Sequence, residues 1–343
     1  MKERKLSIEF IRIFAVFLTI MIHVSNIYIY SFDKISNANY LIAIIYNSIA
    51  RICVPLFFMI SGIFLINEEY NFNKYINRIK KFLILLVIWS MIYVLIYHRD
   101  DFLNTFVNSL FNANKSSRHL WFMYAIIGIY IALPFIQNMC KNLSKEQENL
   151  FLILWMFFSG GVVIFVPFAR LITNTGIDIS YPIPIINSTY YLGYFISGHI
   201  LYERYYKQRN NIKNNIIYFL TFILATLITI ILTYVYSIKN NSVYDSFLWY
   251  RSIFIIIASF TIFLLIITNE KIFNNKIILG VSSLSFGIYL LHVLFLIILK
   301  KNVNIIIYNA LWIIPLVTFM IYLCSFLSCL IIKKIPIINK LIK

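Results

Sequence analysis

Two arginines and two histidines interrupt the apolar segments of this sequence, and both residue types can take part in reactions inside a membrane. Arg12 and His23 lie in the first apolar run, Arg51 in the second and His292 near the C-terminal end. Arginine carries a fixed positive charge that binds anionic groups, and histidine exchanges a proton near neutral pH. Because a charge within the hydrocarbon core costs several kcal/mol, it is rarely placed there without a partner or a task. These residues predict an internal polar site that binds an anion and moves a proton.

Composition indicates that the elements positioning these side chains are membrane-spanning helices. Of the 343 residues, 61% are apolar and only 13% charged, and the mean hydropathy is +0.82. Continuous runs of about 18 or more apolar residues favour helices over a membrane β-barrel, whose strands are short and alternating. We therefore expect an all-α, polytopic transmembrane helix bundle with about ten spans, at residues 8–30, 41–66, 79–97, 119–137, 150–169, 186–204, 215–236, 247–267, 278–299 and 304–332.

The net charge of +17 is explained better by topology than by nucleic-acid binding, because the basic residues lie in short loops between the apolar runs. With the N-terminus inside, about 19 basic residues face the cytoplasm and about 9 face outward, as the positive-inside rule requires. The sequence thus predicts an N-in, C-in protein of a bacterial plasma membrane. No soluble domain or repeat is evident, so residues 1–343 are expected to form a single membrane domain.

Soluble catalytic motifs and metal motifs are missing from the sequence. There is no GxxxxGK[ST], GxGxxG, HExxH or GxSxG pattern. The four cysteines lack CxxC or CxxH spacing, so neither a disulfide framework nor a metal site is expected. The chemistry must come from side chains that converge between helices.

Helical rise places three of the unusual residues at one depth. His23, Arg51 and His292 each lie about 15 residues, or roughly 22 Å, from the cytoplasmic end of their spans, whereas Arg12 lies nearer the cytoplasm. Simpler interpretations exist: a single histidine is often only hydrogen-bonded within a bundle, and Arg12 could pair with Glu9 three residues earlier. Arg51 has no acidic residue on its own span, which favours an anionic ligand.

Taken together, these residues resemble the acyltransferase 3 family of integral membrane O-acyltransferases that act on surface polysaccharides. Glu9 and Arg12, followed by ten residues and His23, match the family's acidic-x-x-Arg-x10-His pattern. Four further segments match in the same order: residues 51–62, the basic stretch at Arg78, Lys80 and Lys81, the fourth span beginning at His119 and Trp121, and residues 285–292 with Tyr289 and His292. The sequence resembles the single-domain branch, which has no SGNH hydrolase-like domain.

The resemblance implies transfer of an acyl group, usually acetyl, from cytoplasmic acyl-CoA to a hydroxyl of an extracytoplasmic or lipid-linked glycan. Acyl-CoA is then a donor substrate, and no bound cofactor or metal is expected. The implied roles are as follows: His23, Arg51 and His292 are catalytic, with His23 as general base or transient acyl carrier and Arg51 as oxyanion stabiliser; Arg12, Glu9, Arg78, Lys80 and Lys81 bind the donor; and His119, Trp121 and Tyr289 bind the acceptor.

Two other functional classes remain open at this stage. A secondary transporter or flippase for an anionic or glycolipid substrate would also need intramembrane Arg and His, although no internal repeats or paired broken helices are evident in the sequence. A membrane domain that only binds or senses is a third alternative. The expected partners are membrane lipid, acyl-CoA and a glycan acceptor, and no nucleic acid. The acceptor sugar, the choice between acetyl and succinyl, and the oligomeric state are left open.

Overall fold

The computed structural model describes residues 5–97, 100–110, 117–161, 184–206, 208, 211–273, 275, 277–336 and 338–342. These residues form α-helices joined by short turns, and no β-strand occurs among them. The helices are α1 (Leu6–Ile29), α2 (Asn37–Ala50), α3 (Cys53–Ile66), α4 (Phe72–Tyr97), α5 (Phe102–Ser109), α6 (Trp121–Asn142), α7 (Lys145–Met156), α8 (Pro184–Tyr205), α9 (Ile212–Asn240), α10 (Ile253–Ile267), α11 (Ile277–Ser282), α12 (Ser285–Asn302) and α13 (Ala310–Lys333).

The all-α, polytopic fold class is confirmed. Within the described residues, eight helical segments are long and apolar enough to cross a membrane: Leu6–Ile29, Asn37–Ile66, Phe72–Tyr97, Arg118–Asn142, Ile212–Asn240, Ser246–Ile267, Ser285–Asn302 and Ala310–Lys333. They coincide with eight of the ten predicted spans. The predicted span 186–204 overlaps α8, and the predicted span 150–169 begins in α7, while its residues 162–169 lie outside the described residues. The total of ten spans and the orientation remain predictions.

The chain divides into two compact units, so the single domain also remains a prediction. The first unit comprises Met1–Ile63 and Ser144–Lys343, and the second comprises Phe64–Leu143. Helix α1 lies at the centre of the first unit, where α2, α10, α11, α12 and α13 all pack against it. An almost wholly apolar helix can bury side chains on every side in this way, and Ile11, Ala15 and Val24 are fully enclosed.

Polar contacts at the two ends of the first unit show how its helices alternate in direction. At one end, Tyr28 in the last turn of α1 donates to the carbonyl of Ile305, which follows α12 (2.5 Å). At the opposite end, the Lys5 ammonium before α1 lies 3.3 Å from the ring centroid of Tyr206, which follows α8. Tyr30, at the end of α1, also donates to Asp245 in the loop after α9 (2.9 Å). The loops after α1, α9 and α12 therefore lie at one end of this unit, and the basic N-terminal segment lies at the other.

The second predicted span, 41–66, consists of two helices rather than one. Helix α2 ends at Ala50, Arg51 and Ile52 form a turn, and α3 begins at Cys53. Pro55 lacks the N–H that would bond to the carbonyl of Arg51 four residues earlier, and this loss interrupts helical hydrogen bonding. Arg51 therefore lies at a break within a membrane-spanning segment.

Helices α3 and α8 approach each other closely because glycines line their contact. A Cβ atom added to Gly62 would lie 1.8 Å from the carbonyl oxygen of Phe195. A Cβ atom added to Gly198 would lie 2.3 Å from the Cα of Met59. Small residues at such contacts are typical of membrane helices, whose association depends on close packing.

In the second unit, α4 and α6 pack against each other. Gln137 of α6 donates to the carbonyls of Leu65 (2.7 Å) and Glu68 (3.0 Å), which fixes the segment between α3 and α4. Helix α4 begins at Phe72, about two turns before the predicted start at residue 79. The basic residues around Arg78 therefore lie on the first turns of a helix and not in a loop.

Candidate functional site

His23 of α1 and His292 of α12 lie next to each other in the first unit, with ring centroids 5.2 Å apart and planes tilted by 44°. The sequence placed them at the same depth, and the fold also turns both rings toward each other. His292 is fully buried, and its Nδ1 lies 2.6 Å from the carbonyl oxygen of Tyr289. Because a carbonyl oxygen only accepts, Nδ1 carries a proton, which leaves Nε2 as the nitrogen available for proton transfer.

Tyr289 accompanies this histidine pair. It precedes His292 by three residues and so lies on the same face of α12, with ring centroids 6.0 Å apart. Its side chain is buried, and its carbonyl orients the His292 ring. Tyr289 thus contacts His292 through both its backbone carbonyl and its ring, and its role in acceptor binding stays a prediction.

Arg51 is held near the histidines by a polar network that begins on α1. Its Nε donates to Oδ1 of Asn47, one helical turn earlier (2.7 Å). The Nδ2 of Asn47, which is fully buried, donates to Ser25 Oγ (2.8 Å) and Asn26 Oδ1 (2.9 Å), two and three residues beyond His23. Asn47 therefore ties the guanidinium group to the turn of α1 that follows His23.

An aromatic ring completes the surroundings of Arg51. Its guanidinium carbon lies 5.6 Å from the ring centroid of Tyr250, which precedes α10. A cation above an aromatic ring is attracted by the ring quadrupole, more strongly where water is excluded. Arg51 is therefore supported by uncharged groups, whereas no carboxylate partner of its side chain is found among the described residues.

Arg12 and Glu9 form a separate cluster nearer the predicted cytoplasmic end of α1. The Arg12 Nη1 lies 2.8 Å from Glu9 Oε2, and the Ser282 hydroxyl of α11 also donates to that oxygen. The Glu9 side chain is 3% exposed, whereas that of Arg12 is 31% exposed. The alternative of an ion pair between these residues is therefore realised in the structure, and a donor-binding role for them remains untested.

The basic residues predicted to bind the donor lie on α4, in the second unit. Arg78 Nη2 lies 2.7 Å from Glu68 Oε2, and Lys74 pairs with the other carboxylate oxygen. Burial raises the pKa of Glu68, but the hydrogen bonds from Lys74 and Arg78 outweigh it and bring the pKa below its ordinary value of 4.5. These three residues line a small open cleft together with Gln137. Lys80 and Lys81 are exposed.

His119 and Trp121 also belong to the second unit, at the start of α6. The Nδ1 of His119 lies 2.7 Å from Ser117 Oγ, and its ring meets Tyr93 edge to face at 4.9 Å. His119 is buried, and Trp121 is half-buried beside Phe122. The described contacts thus give His119 a well-defined structural setting, while its predicted role in acceptor binding is untested.

Sequence reasoning missed Asn47 and Tyr250. Asn47 carried a usable signal, because it is a polar residue in an apolar run and precedes Arg51 by four residues, the spacing of neighbours on a helix face. Tyr250 carried none, because its contact with Arg51 joins segments about 200 residues apart. Among the described residues, no group of three or more His, Cys, Asp or Glu side chains could hold a metal ion.

The first unit therefore combines two neighbouring imidazoles and an oriented guanidinium within a helix bundle. One imidazole can accept a proton from a hydroxyl group, and the guanidinium can stabilise a developing oxyanion. These are the requirements of acyl transfer. The same groups also suit the binding of an anion.

Comparison with known proteins identifies the family. The model of the Acyl_transf_3 family, described as an acyltransferase domain, matches residues 5–332. An amino-acid racemase from Enterococcus faecalis is 29% identical over 159 residues, which are 42% of this chain and 21% of that protein, so the chain spans about a fifth of this curated relative. No solved structure matches the chain. Eight of the described helical segments are long and apolar enough to cross a membrane. Because the family match covers nearly the whole sequence, this protein belongs to the acyltransferase 3 family.

Proposed function

We propose that this protein transfers an acetyl group from cytoplasmic acetyl-CoA to a hydroxyl of an extracytoplasmic or lipid-linked glycan, across a bacterial plasma membrane. The observation that carries the proposal is the adjacency of His23 and His292, next to the network that orients Arg51. The family supplies the acyl transfer, and the intramembrane position of these groups suits a donor and an acceptor that approach from opposite sides.

The reaction begins when a histidine of this pair takes the proton of the acceptor hydroxyl. The hydroxyl oxygen attacks the thioester carbonyl carbon, a C–O bond forms, and the carbonyl oxygen becomes an oxyanion that Arg51 stabilises. When the intermediate collapses, the C–S bond breaks and the protonated histidine returns its proton to the thiolate, so that coenzyme A leaves as the thiol. We assign proton transfer to His23, with His292 as its neighbour in the pair.

The other predicted site residues keep their proposed roles in binding the donor or the acceptor. Coenzyme A carries several negative charges, which Arg78, Lys80 and Lys81 on the first turns of α4 would attract at the predicted cytoplasmic side. Arg12 and Glu9 would contribute at the predicted cytoplasmic end of α1. His119, Trp121 and Tyr289 would contact the acceptor, for which buried or half-buried aromatic groups offer stacking surfaces.

The test is a transfer assay with a matched control. Membranes containing the intact protein receive radiolabelled acetyl-CoA, and label is followed into glycan. His23→Ala should lower transfer by about 10²–10⁴-fold, whereas His199→Ala, which removes another buried histidine, from α8, should retain it. Transfer that is unchanged in His23→Ala would remove the catalytic assignment while leaving the acyltransferase intact.

A secondary transporter or flippase is a second candidate because of the helix break at Arg51. Discontinuous helices at the bilayer midplane form ion and substrate sites in many transporters, and the segment Asn37–Ile66 is interrupted at this charged residue. The same assay separates the two functions. Movement of substrate across the membrane without covalent attachment of label to glycan would favour the transporter.

A further inference from the structure

The loop between α9 and α10 carries a tryptophan that is both exposed and fixed in position. The Trp249 side chain is 39% exposed, and its Nε1 lies 3.3 Å from Asp245 Oδ1. The guanidinium carbon of Arg251 lies 4.3 Å from the Trp249 ring centroid. The other carboxylate oxygen of Asp245 accepts a hydrogen bond from Tyr30 at the end of α1 (2.9 Å). The cluster thus joins the end of α1 to the loop before α10.

From this cluster we propose that Tyr30, Asp245, Trp249 and Arg251 form a carbohydrate-binding platform for the acceptor. The inference rests on the proposed function, because it assigns the place where the glycan binds. A pyranose ring presents C–H groups on its faces, which pack on an aromatic ring, and hydroxyl groups around its edge, which donate to a carboxylate and accept from a guanidinium. All three kinds of group meet here within one cluster.

The way Trp249 is held distinguishes it from a tryptophan that only anchors the protein at the membrane surface. Its ring is fixed along one edge by Asp245 and over one face by Arg251 while more than a third of it is exposed. A rigid aromatic group costs little entropy to bind against. Trp312, in the first turn of α13, is 71% exposed and has no ring contact or hydrogen bond of its indole among the described residues. Trp312 therefore serves as the control for Trp249, as a tryptophan that only anchors the protein at the membrane surface.

The platform is continuous with the site that contains Arg51. Tyr250 lies between Trp249 and Arg251 in the chain, and its ring contacts the Arg51 guanidinium. One loop therefore carries an exposed aromatic group at the surface and a ring beside Arg51. The platform also lies at the end of α1 opposite Lys5, which the charge distribution predicts to be the outer side. A glycan on the platform would approach the histidines from outside.

The experiment measures how transfer depends on acceptor concentration. De-O-acylated surface glycan extracted from the source cells is titrated against detergent-purified protein and radiolabelled acetyl-CoA. Trp249→Ala should raise the glycan concentration for half-maximal transfer by about tenfold, with the KM for acetyl-CoA unchanged. Trp249→Phe, which keeps an aromatic ring but loses the bond to Asp245, should give a smaller increase. Trp312→Ala should behave like the intact protein.

The outcomes separate the platform from the proposed function. Equal half-saturation in Trp249→Ala and Trp312→Ala, with transfer intact, would overturn the platform alone, as would a change confined to the acetyl-CoA KM. An intact protein that binds acetyl-CoA but labels no glycan would overturn the proposed function, and the platform with it. If Trp249→Ala fails to fold, the test uses Trp249→Phe and Asp245→Asn instead. An unchanged glycan concentration for half-maximal transfer in Trp249→Phe, together with unchanged transfer in Asp245→Asn, would refute the platform.

Discussion

Replacing Asn47 with leucine should lower catalysis by releasing Arg51, although Asn47 itself need not touch the substrate. The side chain of Asn47 makes three hydrogen bonds of 2.9 Å or less, to Ser25, Asn26 and Arg51. Leucine is of similar size, so packing is largely kept while all three bonds are lost. Arg51 then loses the acceptor that fixes its Nε, and its guanidinium group can turn away from the position of the oxyanion.

The magnitudes follow from these contacts. Two of these bonds join α2 to α1, and side-chain hydrogen bonds between membrane helices average about 0.6 kcal/mol each, so their loss amounts to about 1 kcal/mol of unfolding free energy. Removing an oxyanion donor outright costs about 10²–10³-fold in kcat. Asn47→Leu removes only the residue that orients the Arg51 guanidinium, so the loss in kcat should be smaller, about 10–100-fold. We expect a lower kcat with both KM values nearly unchanged, because ground-state binding does not depend on this orientation.

A double-mutant cycle tests whether Asn47 acts through Arg51. Transfer of label from acetyl-CoA to glycan is measured for Asn47→Leu, for Arg51→Ala and for both together, with thermal unfolding in detergent as the stability readout. The double variant should be no slower than Arg51→Ala alone. Ser48→Ala, a neighbouring buried change whose hydroxyl makes no hydrogen bond among the described residues, is the control. Additive losses in the cycle would refute the reasoning.

Three further predictions concern stability. Arg12→Gln should lower the unfolding free energy by about 3 kcal/mol, because it leaves the buried carboxylate of Glu9 without its cation, and adding Glu9→Gln should restore much of it; equal thermal stability of all variants in detergent would contradict this. Gly198→Ala should cost about 1–3 kcal/mol by overpacking α3, whereas Gly280→Ala, with open space around its Cβ, should be neutral or stabilising. The folded-state pKa of Glu68 is lowered, so the stabilisation by its ion pairs is complete above the ordinary pKa of 4.5 and is lost as the pH falls through the folded-state pKa. Glu68→Gln should therefore reduce the loss of thermal stability on acidification. An unchanged dependence of thermal stability on pH would show that the ion pairs of Glu68 contribute nothing.

The sequence predicted eight of the spans well because a helix that crosses a membrane needs a long apolar run, which can be read from the sequence. Helix α1 and the segment Ala310–Lys333 differ from their predicted ranges by only a few residues or turns. The break at Arg51 was missed although Pro55 signals it, because hydropathy alone does not register a lost hydrogen bond. The early start of α4 was missed for a related reason: its first turns are polar and charged, and a hydropathy run begins only where the helix becomes apolar.

Depth along a helix could be counted from the sequence, but direction around its axis could not. Counting put His23 and His292 at one level, and two rings at one level can still face opposite sides of the bundle. Their separation of 5.2 Å depends on the rotation of α1 against α12, which packing of many side chains decides. The Arg12 and Glu9 pair was within reach of sequence reasoning because three residues on one helix fix both height and direction.

The structure also changes the argument about why an arginine lies at the break between α2 and α3. From the sequence, Arg51 had no acidic partner on its own span, and an anionic ligand was the natural reason for its presence. In the structure, Asn47 and Tyr250 already support it, so the charge does not require a permanently bound anion. Asn47 occupies only one of the five donors of the guanidinium group, and a neutral partner leaves the positive charge uncompensated. A carboxylate would have cancelled it. This arrangement holds the group in a fixed direction at full charge, which suits an anion that exists only briefly, such as an oxyanion in acyl transfer.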